Sequence, residues 1–93
     1  METKKILKFQ AEWCVPCKSF HTTLTKVLGD EKYKDIELKE VDIDSDNDED
    51  LELVNEYKVR NIPTTLFLDK DENVLKKVVG NISESELKSI LDE

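Results

Sequence analysis

Two cysteines lie where a predicted strand gives way to a predicted helix, and this junction constrains the fold more than any other feature of the sequence. Residues 5–9 form a short, mostly apolar run that predicts a strand. Residues 14–17 read Cys-Val-Pro-Cys, and apolar residues then recur every three or four positions, which predicts a helix. Pro16 fits the first helical turn, because its missing N–H has no partner to lose there. We therefore expect Cys14 at the N-terminal end of the helix and Cys17 one turn further in, covered by the fold.

This placement suits thiol–disulfide exchange. The thiolate, and not the thiol, attacks a disulfide, and the unpaired N–H groups and dipole of a helix N-terminus favour negative charge. Cys14 is therefore the predicted attacking group, and Cys17 the group that resolves the mixed disulfide. A purely structural bridge is disfavoured, because closing a loop between residues three positions apart removes little chain entropy.

Metal binding is the main alternative for a closely spaced cysteine pair. A zinc site needs about four ligands, and His21, the one histidine in the chain, is predicted to face away from the cysteines. Residues 42–50 are rich in aspartate, like the start of a calcium-binding loop, which requires glutamate at its twelfth position. That position is Leu53 if the loop starts at Asp42, and Asn55 if it starts at Asp44. We expect no metal, and instead a solvated loop in which an aspartate caps the following helix.

The charge balance narrows the range of partners. Lys and Arg number 14 and Asp and Glu 22, which gives a net charge of −8. A nucleic acid partner is disfavoured, because phosphate contacts need a basic face, and repulsion between copies favours a monomer. No apolar run approaches the roughly 18 residues of a membrane span, and residues 1–10 lack the pattern of a secretory signal. We expect a cytoplasmic protein with no membrane contact and one domain, residues 1–93.

The remaining patterns complete an α/β arrangement. The further strands are predicted over residues 36–43, 65–68 and 74–79. A second helix follows the acidic stretch, and its apolar positions are Leu51, Val54 and Tyr57. A third helix begins after Ser83, which forms a capping box with Glu86. The element order β-α-β-α-β-β-α makes the first two strands parallel, since a helix joins them, and the last two antiparallel, since a short turn joins them.

Residues 11–18 resemble the active-site signature of the thioredoxin family, apart from Val15, where the family usually has glycine. Residues 41–44 resemble the strand end that precedes the family's next helix, and residues 59–64 resemble the segment that holds its cis-proline. Residues 79–80 match the glycine close to the family's active site. These motifs occur in the family's order, and the resemblance covers roughly residues 5–92.

The resemblance implies a four-stranded mixed sheet flanked by three helices, with Pro63 in the cis form beside the disulfide. The backbone of Ile62 would then be open to a substrate strand, which pairs through main-chain hydrogen bonds. The implied substrate-binding residues lie around Cys14 and are Trp13, Val15, Pro16, Ile62, Pro63, Thr64 and Gly80. The resemblance also implies protein substrates that contain disulfides, thioredoxin reductase as electron donor, and no bound cofactor.

The chain departs from the family pattern at two charged positions. It has Lys8 where the family places a buried aspartate, and Glu40 where the family has a lysine on the neighbouring strand. We predict a Lys8–Glu40 ion pair beneath Cys17, because a single buried charge would be costly without a partner. A cation near the sulfurs would favour thiolate and make the protein a weaker reductant, and Glu40 would relay a proton. The alternative is that both side chains are solvated.

The resemblance is compatible with three functions. The leading prediction is an enzyme that reduces protein disulfides through residues 14–17. The chain begins almost at the strand that leads to the cysteines, so we expect it to lack the family's usual first strand and helix. This short outline is close to that of glutaredoxins, which makes a glutathione-dependent reductase the first alternative. A binding module that uses the fold without catalysis is the second.

Overall fold

The fold centres on a four-stranded mixed sheet, seen in a computed structural model that describes residues 2–93. Its strands, in chain order, are β1 (Lys5–Gln10), β2 (Glu37–Asp42), β3 (Thr64–Leu68) and β4 (Val74–Val79). Their spatial order is β2-β1-β3-β4, with β1 parallel to β2 and β3 antiparallel to both β1 and β4. The predicted fold class, element order and strand directions are confirmed.

Three helices cover the two faces of the sheet: α1 (Val15–Leu28), α2 (Asp48–Glu56) and α3 (Glu84–Leu91). On one face, Ile6 of β1 packs in a core with Phe20 of α1 and Leu87 of α3. On the other face, Phe9 belongs to a second core against which Val54 of α2 packs. Successive residues of a strand point to opposite faces, so β1 supplies side chains to both cores. A short 3₁₀ helix, Glu31–Tyr33, was not predicted from the sequence.

The acidic helix α2 differs from its prediction in two details. Asn47, and not an aspartate, caps it: its side-chain oxygen accepts hydrogen bonds from the backbone N–H groups of Glu49 and Asp50. Leu51, predicted on the apolar face, is exposed, and Leu53 packs against the core in its place. The cap of α3 is confirmed, since Ser83 Oγ accepts a hydrogen bond from the backbone N–H of Glu86.

Within residues 2–93, no helix combines the length and the apolar character that crossing a membrane requires.

Candidate active site

Cys14 and Cys17 form a disulfide at the start of α1, with their Cα atoms 5.2 Å apart. Cys14 is the N-cap residue, in extended conformation, and its Sγ accepts a hydrogen bond of 3.2 Å from the backbone N–H of Cys17. Pro16 lies in the first helical turn, as predicted. Both cysteines are nearly covered, with relative exposures of 4 % for Cys14 and 1 % for Cys17. The same N–H and helix dipole that meet this sulfur in the disulfide would stabilise it as a thiolate after reduction.

The residues just before and after Cys14 form an exposed apolar rim. Trp13 is 66 % exposed and Val15 is 71 % exposed, so neither fills the core. The indole N–H of Trp13 donates a hydrogen bond of 2.7 Å to Asp44 Oδ2. Asp44 follows β2, and its contact with Trp13 was not predicted, because nothing in the pattern of a solvated loop points to one particular partner.

The loop before β3 completes the surroundings of the disulfide. The Ile62–Pro63 peptide bond is cis, which confirms the prediction, and the Ile62 side chain packs against the cysteines. The Pro63 carbonyl accepts a hydrogen bond of 2.8 Å from the backbone N–H of Gly80, and the Thr64 hydroxyl donates one of 2.6 Å to the Asn61 carbonyl. Gly80 has a φ of +96°, which glycine adopts far more readily than other residues. Gly80 and Thr64 are thus held beside Pro63.

The backbone of Ile62 is open to a partner. Within the described part of the chain, neither its N–H nor its carbonyl takes part in a backbone hydrogen bond. Backbone groups in this state can pair with an added strand.

The predicted ion pair between Lys8 and Glu40 is present. The two residues are opposite each other in the β1–β2 register, and Lys8 Nζ lies 3.0 Å from Glu40 Oε2. Lys8 is fully buried and also donates a hydrogen bond of 2.6 Å to Gln10 Oε1. Glu40 keeps 25 % of its side chain exposed, so the alternative in which both charges are solvated is wrong for Lys8.

His21 does not face away from the active site, and that prediction is wrong. Its Nδ1 lies 2.8 Å from Glu40 Oε2, the same oxygen that Lys8 contacts. The helical period explains the error, because residues four positions apart lie on the same face of a helix and His21 is four positions after Cys17. The sequence spacing therefore contained the signal that would have placed His21 on the side of Cys17.

An open surface cavity of about 550 Å³ joins these groups. Cys17, His21 and Glu40 all line it, together with Gln10 and Asp42. Burial acts to raise the pKa of Glu40, but the hydrogen bonds from His21 and Lys8 outweigh it and hold that pKa below its ordinary value of 4.5. Glu40 is therefore an ionised carboxylate at neutral pH, held between two donors on the side of Cys17.

A disulfide capping a helix that follows the central strand of a mixed α/β sheet defines a thiol–disulfide oxidoreductase. The thioredoxin family model matches residues 1–93. This chain belongs to the thioredoxin family.

Individual thioredoxins resemble the chain over most of its length. The thioredoxin of Mycoplasmoides gallisepticum is 36 % identical over 88 residues, covering 95 % of this chain and 81 % of the relative. The thioredoxin of Pseudomonas aeruginosa is 39 % identical over 87 residues, covering 94 % of this chain and 75 % of the relative. Bovine mitochondrial thioredoxin is 37 % identical over 90 residues, covering 97 % of this chain but only 51 % of its own length.

Solved thioredoxin structures have the same architecture. Oxidised mitochondrial thioredoxin 3 of Saccharomyces cerevisiae superposes with a TM-score of 0.75 at 27 % identity, covering 99 % of this chain and 79 % of the yeast chain. Oxidised thioredoxin O2 of Arabidopsis thaliana has a TM-score of 0.79 at 25 % identity, covering 98 % of this chain and 74 % of the Arabidopsis chain. Together, the family, these relatives and the cysteine pair identify the chain as a protein-disulfide reductase.

Proposed function

We propose that this protein reduces disulfides in other proteins, with Cys14 as the attacking group and Cys17 as the resolving group. The observation that supports these roles is the placement of Cys14 Sγ at the helix cap, where it accepts the backbone N–H of Cys17. A sulfur in that position is stabilised as the thiolate, which is the reactive form. Cys14 lies between the exposed side chains of Trp13 and Val15, whereas Cys17 lies one turn further along α1, so we assign the first contact with substrate to Cys14.

The reaction proceeds in two exchanges. The Cys14 thiolate attacks one sulfur of the substrate disulfide, which forms a mixed disulfide and releases the other substrate sulfur as a thiolate. Cys17 then loses its proton and attacks Cys14 Sγ, which forms the Cys14–Cys17 bond and releases the second substrate sulfur. Two electrons pass from the dithiol to the substrate, and a dithiol donor restores the protein. We assign this donor role to a thioredoxin reductase.

The rim around Cys14 supplies the substrate contacts. An extended substrate segment would pair with the free backbone groups of Ile62, which recognises main chain and tolerates many sequences. The exposed side chains of Trp13 and Val15 offer an apolar surface beside that segment. Pro16, Pro63, Thr64 and Gly80 shape this surface: Gly80 and Thr64 hold the loop at Pro63 through the hydrogen bonds described above.

Lys8 and Glu40 act on the second step in this proposal. Glu40 shares a cavity with Cys17 and accepts its proton, since a positioned carboxylate serves as a general base. Lys8 fixes Glu40 by a contact of 3.0 Å, and its positive charge favours the thiolate and so the reduced protein. We further propose that the protein acts as a monomer in the cytoplasm, where thiols are kept reduced and where its net charge of −8 opposes self-association.

The test is reduction of insulin disulfides by the wild type and by two serine variants, with dithiothreitol as the donor. Cys14→Ser is expected to lower the rate to that of dithiothreitol alone. Cys17→Ser, reduced beforehand and freed of dithiothreitol, is expected to accumulate a covalent complex with insulin through Cys14, visible by mass spectrometry. Ser19→Gln, an exposed change on the same helix, serves as the control with wild-type activity. A Cys14→Ser variant as active as the wild type would overturn the proposal.

The same assay identifies the physiological electron donor when dithiothreitol is replaced either by NADPH with thioredoxin reductase or by glutathione. Recycling by NADPH and thioredoxin reductase, with slow recycling by glutathione, is the expected result. The reverse result would move the assignment to a glutathione-dependent reductase, while leaving the roles of the cysteines intact.

A further inference from the structure

The loop that leads to Pro63 carries the one arginine of the chain, Arg60. Arg60 is exposed, between the end of α2 and the start of β3. The ten ion pairs of the described residues all join a carboxylate to a lysine or to His21, so none of them holds the guanidinium group. A guanidinium presents a planar fork of N–H donors that matches a carboxylate. Arg60 is therefore available to bind a carboxylate of another molecule.

The backbone on both sides of Arg60 is anchored. The backbone N–H of Val59 donates a hydrogen bond of 3.1 Å to the Val54 carbonyl, and the side chains of Val59 and Ile62 pack against the core that contains Phe9. Two residues of extended chain span at most about 7 Å, so Arg60 stays close to the backbone of Ile62. Because this part of the loop is already ordered, binding through Arg60 loses little backbone freedom.

Arg60 lies beside the backbone groups to which we assign the substrate segment. The N–H and carbonyl of Ile62 have no backbone partner within residues 2–93, and the Ile62 side chain packs against the cysteines. A segment that pairs with Ile62 while its own cysteine meets Cys14 also passes close to Arg60. A side chain that reaches the guanidinium is therefore within about three residues of the substrate cysteine.

The other charged groups beside the apolar rim are acidic. Glu12 directly precedes Trp13, and Asp44 accepts the indole N–H of Trp13. Asp44 follows β2 and Arg60 precedes β3, and β1 lies between these two strands in the sheet. An acidic group of a substrate is therefore repelled near Trp13 and attracted near Arg60. This arrangement selects for the position of the acidic group and not for the overall charge of the substrate.

We propose that Arg60 selects protein substrates in which an aspartate or glutamate lies within about three residues of the cysteine that Cys14 attacks. The inference rests on the proposed function and names the class of substrate. Arg60 takes no part in the exchange of sulfurs. Its guanidinium donates to the substrate carboxylate while the segment pairs with Ile62, and this contact places the substrate disulfide beside Cys14.

The test uses short peptides whose single cysteine is joined by a disulfide to a chromogenic aromatic thiol. The Cys14 thiolate of the reduced protein attacks the peptide sulfur and releases the coloured aromatic thiolate, which is the better leaving group. One peptide has glutamate two residues before the cysteine, a second has glutamate two residues after it, and a third has glutamine at both positions. Each rate constant is divided by that of the same peptide with dithiothreitol, which corrects for the effect of glutamate on its own disulfide.

The wild type is expected to react with one of the two glutamate peptides about two- to fivefold faster than with the glutamine peptide, the range of an exposed ion pair. Arg60→Gln is expected to lose this preference and to keep the wild-type rate with the glutamine peptide. Arg60→Lys, which keeps the charge without the planar fork, is expected to retain part of it. Lys76→Gln, which removes the same charge from β4 opposite Phe67, is the matched control and is expected to keep the full preference.

The outcomes separate this inference from the function on which it rests. The inference would be overturned if the wild type preferred neither glutamate peptide, or if Arg60→Gln kept the preference. It would also be overturned if Lys76→Gln lost the preference to the same extent as Arg60→Gln, because total charge would then explain the effect. Release of colour at equal rates by the wild type and by Cys14→Ser would instead overturn the proposed function.

Discussion

The two cysteines lie one helical turn apart, but the regions on either side of their disulfide differ in kind. The side of Cys14 is an apolar rim, where Trp13 and Val15 are exposed and the stabilising donor is a backbone N–H. The side of Cys17 faces an open cavity that the Glu40 carboxylate and the His21 imidazole line, and the ammonium group of Lys8 is buried behind Glu40. The first side is suited to contact with a protein substrate, and the second to proton movement. One helix end thus supports two consecutive exchanges, because each sulfur has its own surroundings.

The largest expected effect comes from removing the cation from the polar side. Lys8→Met leaves Glu40 without its buried partner, and we expect a loss of about 3 kcal/mol in unfolding free energy, at the low end for a broken buried pair because His21 still contacts Glu40. The Cys14 thiolate should also form at higher pH, which ultraviolet absorbance of the reduced protein would measure. The double variant Lys8→Met/Glu40→Leu should recover most of the stability. Unchanged thiolate formation would show that the two sides are electrostatically independent.

A smaller effect is expected from neutralising the carboxylate. The folded-state pKa of Glu40 is lowered below 4.5, so ionised Glu40 adds stability at neutral pH that is lost as the pH falls through the folded-state value. Glu40→Gln should therefore be about 1–2 kcal/mol less stable than the wild type at neutral pH, with the gap closing in acid. Denaturant unfolding at neutral pH and near pH 3 measures the gap. A gap that stays constant with pH would mean that the charge of Glu40 does not stabilise the fold.

The smallest effect is expected on the apolar side. Trp13→Phe keeps an aromatic surface but removes the hydrogen bond of 2.7 Å to Asp44. We expect the KM for insulin to rise about two- to threefold with little change in kcat, since this exposed bond lies at the low end of the roughly 0.5–1.5 kcal/mol that a typical hydrogen bond contributes. Asp44→Asn, which retains an acceptor oxygen, is the matched control. A larger fall in kcat than in affinity would place Trp13 in the chemistry of the exchange and not at the rim.

The parts of this structure that follow from local patterns could be predicted from the sequence. The strands, the Ser83 cap and the junction at residues 14–17 depend on periodicity and on residue preferences near each position. The pairing of Lys8 with Glu40 joins distant residues, and it followed from the family resemblance together with the high cost of leaving one buried charge alone.

The features that the sequence did not predict are contacts for which several neighbouring residues are equally suitable. Asn47 lies in a run of aspartates that cap a helix equally well, so composition does not single it out. The contact of Asp44 with Trp13 joins two loops whose approach is set by the sheet. His21 is different, because its spacing of four residues from Cys17 indicates the same helix face as Cys17, and the prediction that it faces away did not follow from that spacing. The same spacing, combined with the predicted position of Glu40, was enough to predict the contact of His21 with Glu40.

The most direct test of the division between the two sides is to alkylate the reduced protein with limiting iodoacetamide at neutral pH. Peptide mass mapping then shows which cysteine reacts. The structure predicts modification at Cys14, the sulfur at the helix cap beside the exposed rim, with Cys17 left as a free thiol. Equal modification of the two, or preferential modification of Cys17, would contradict the assignment of attacking and resolving roles.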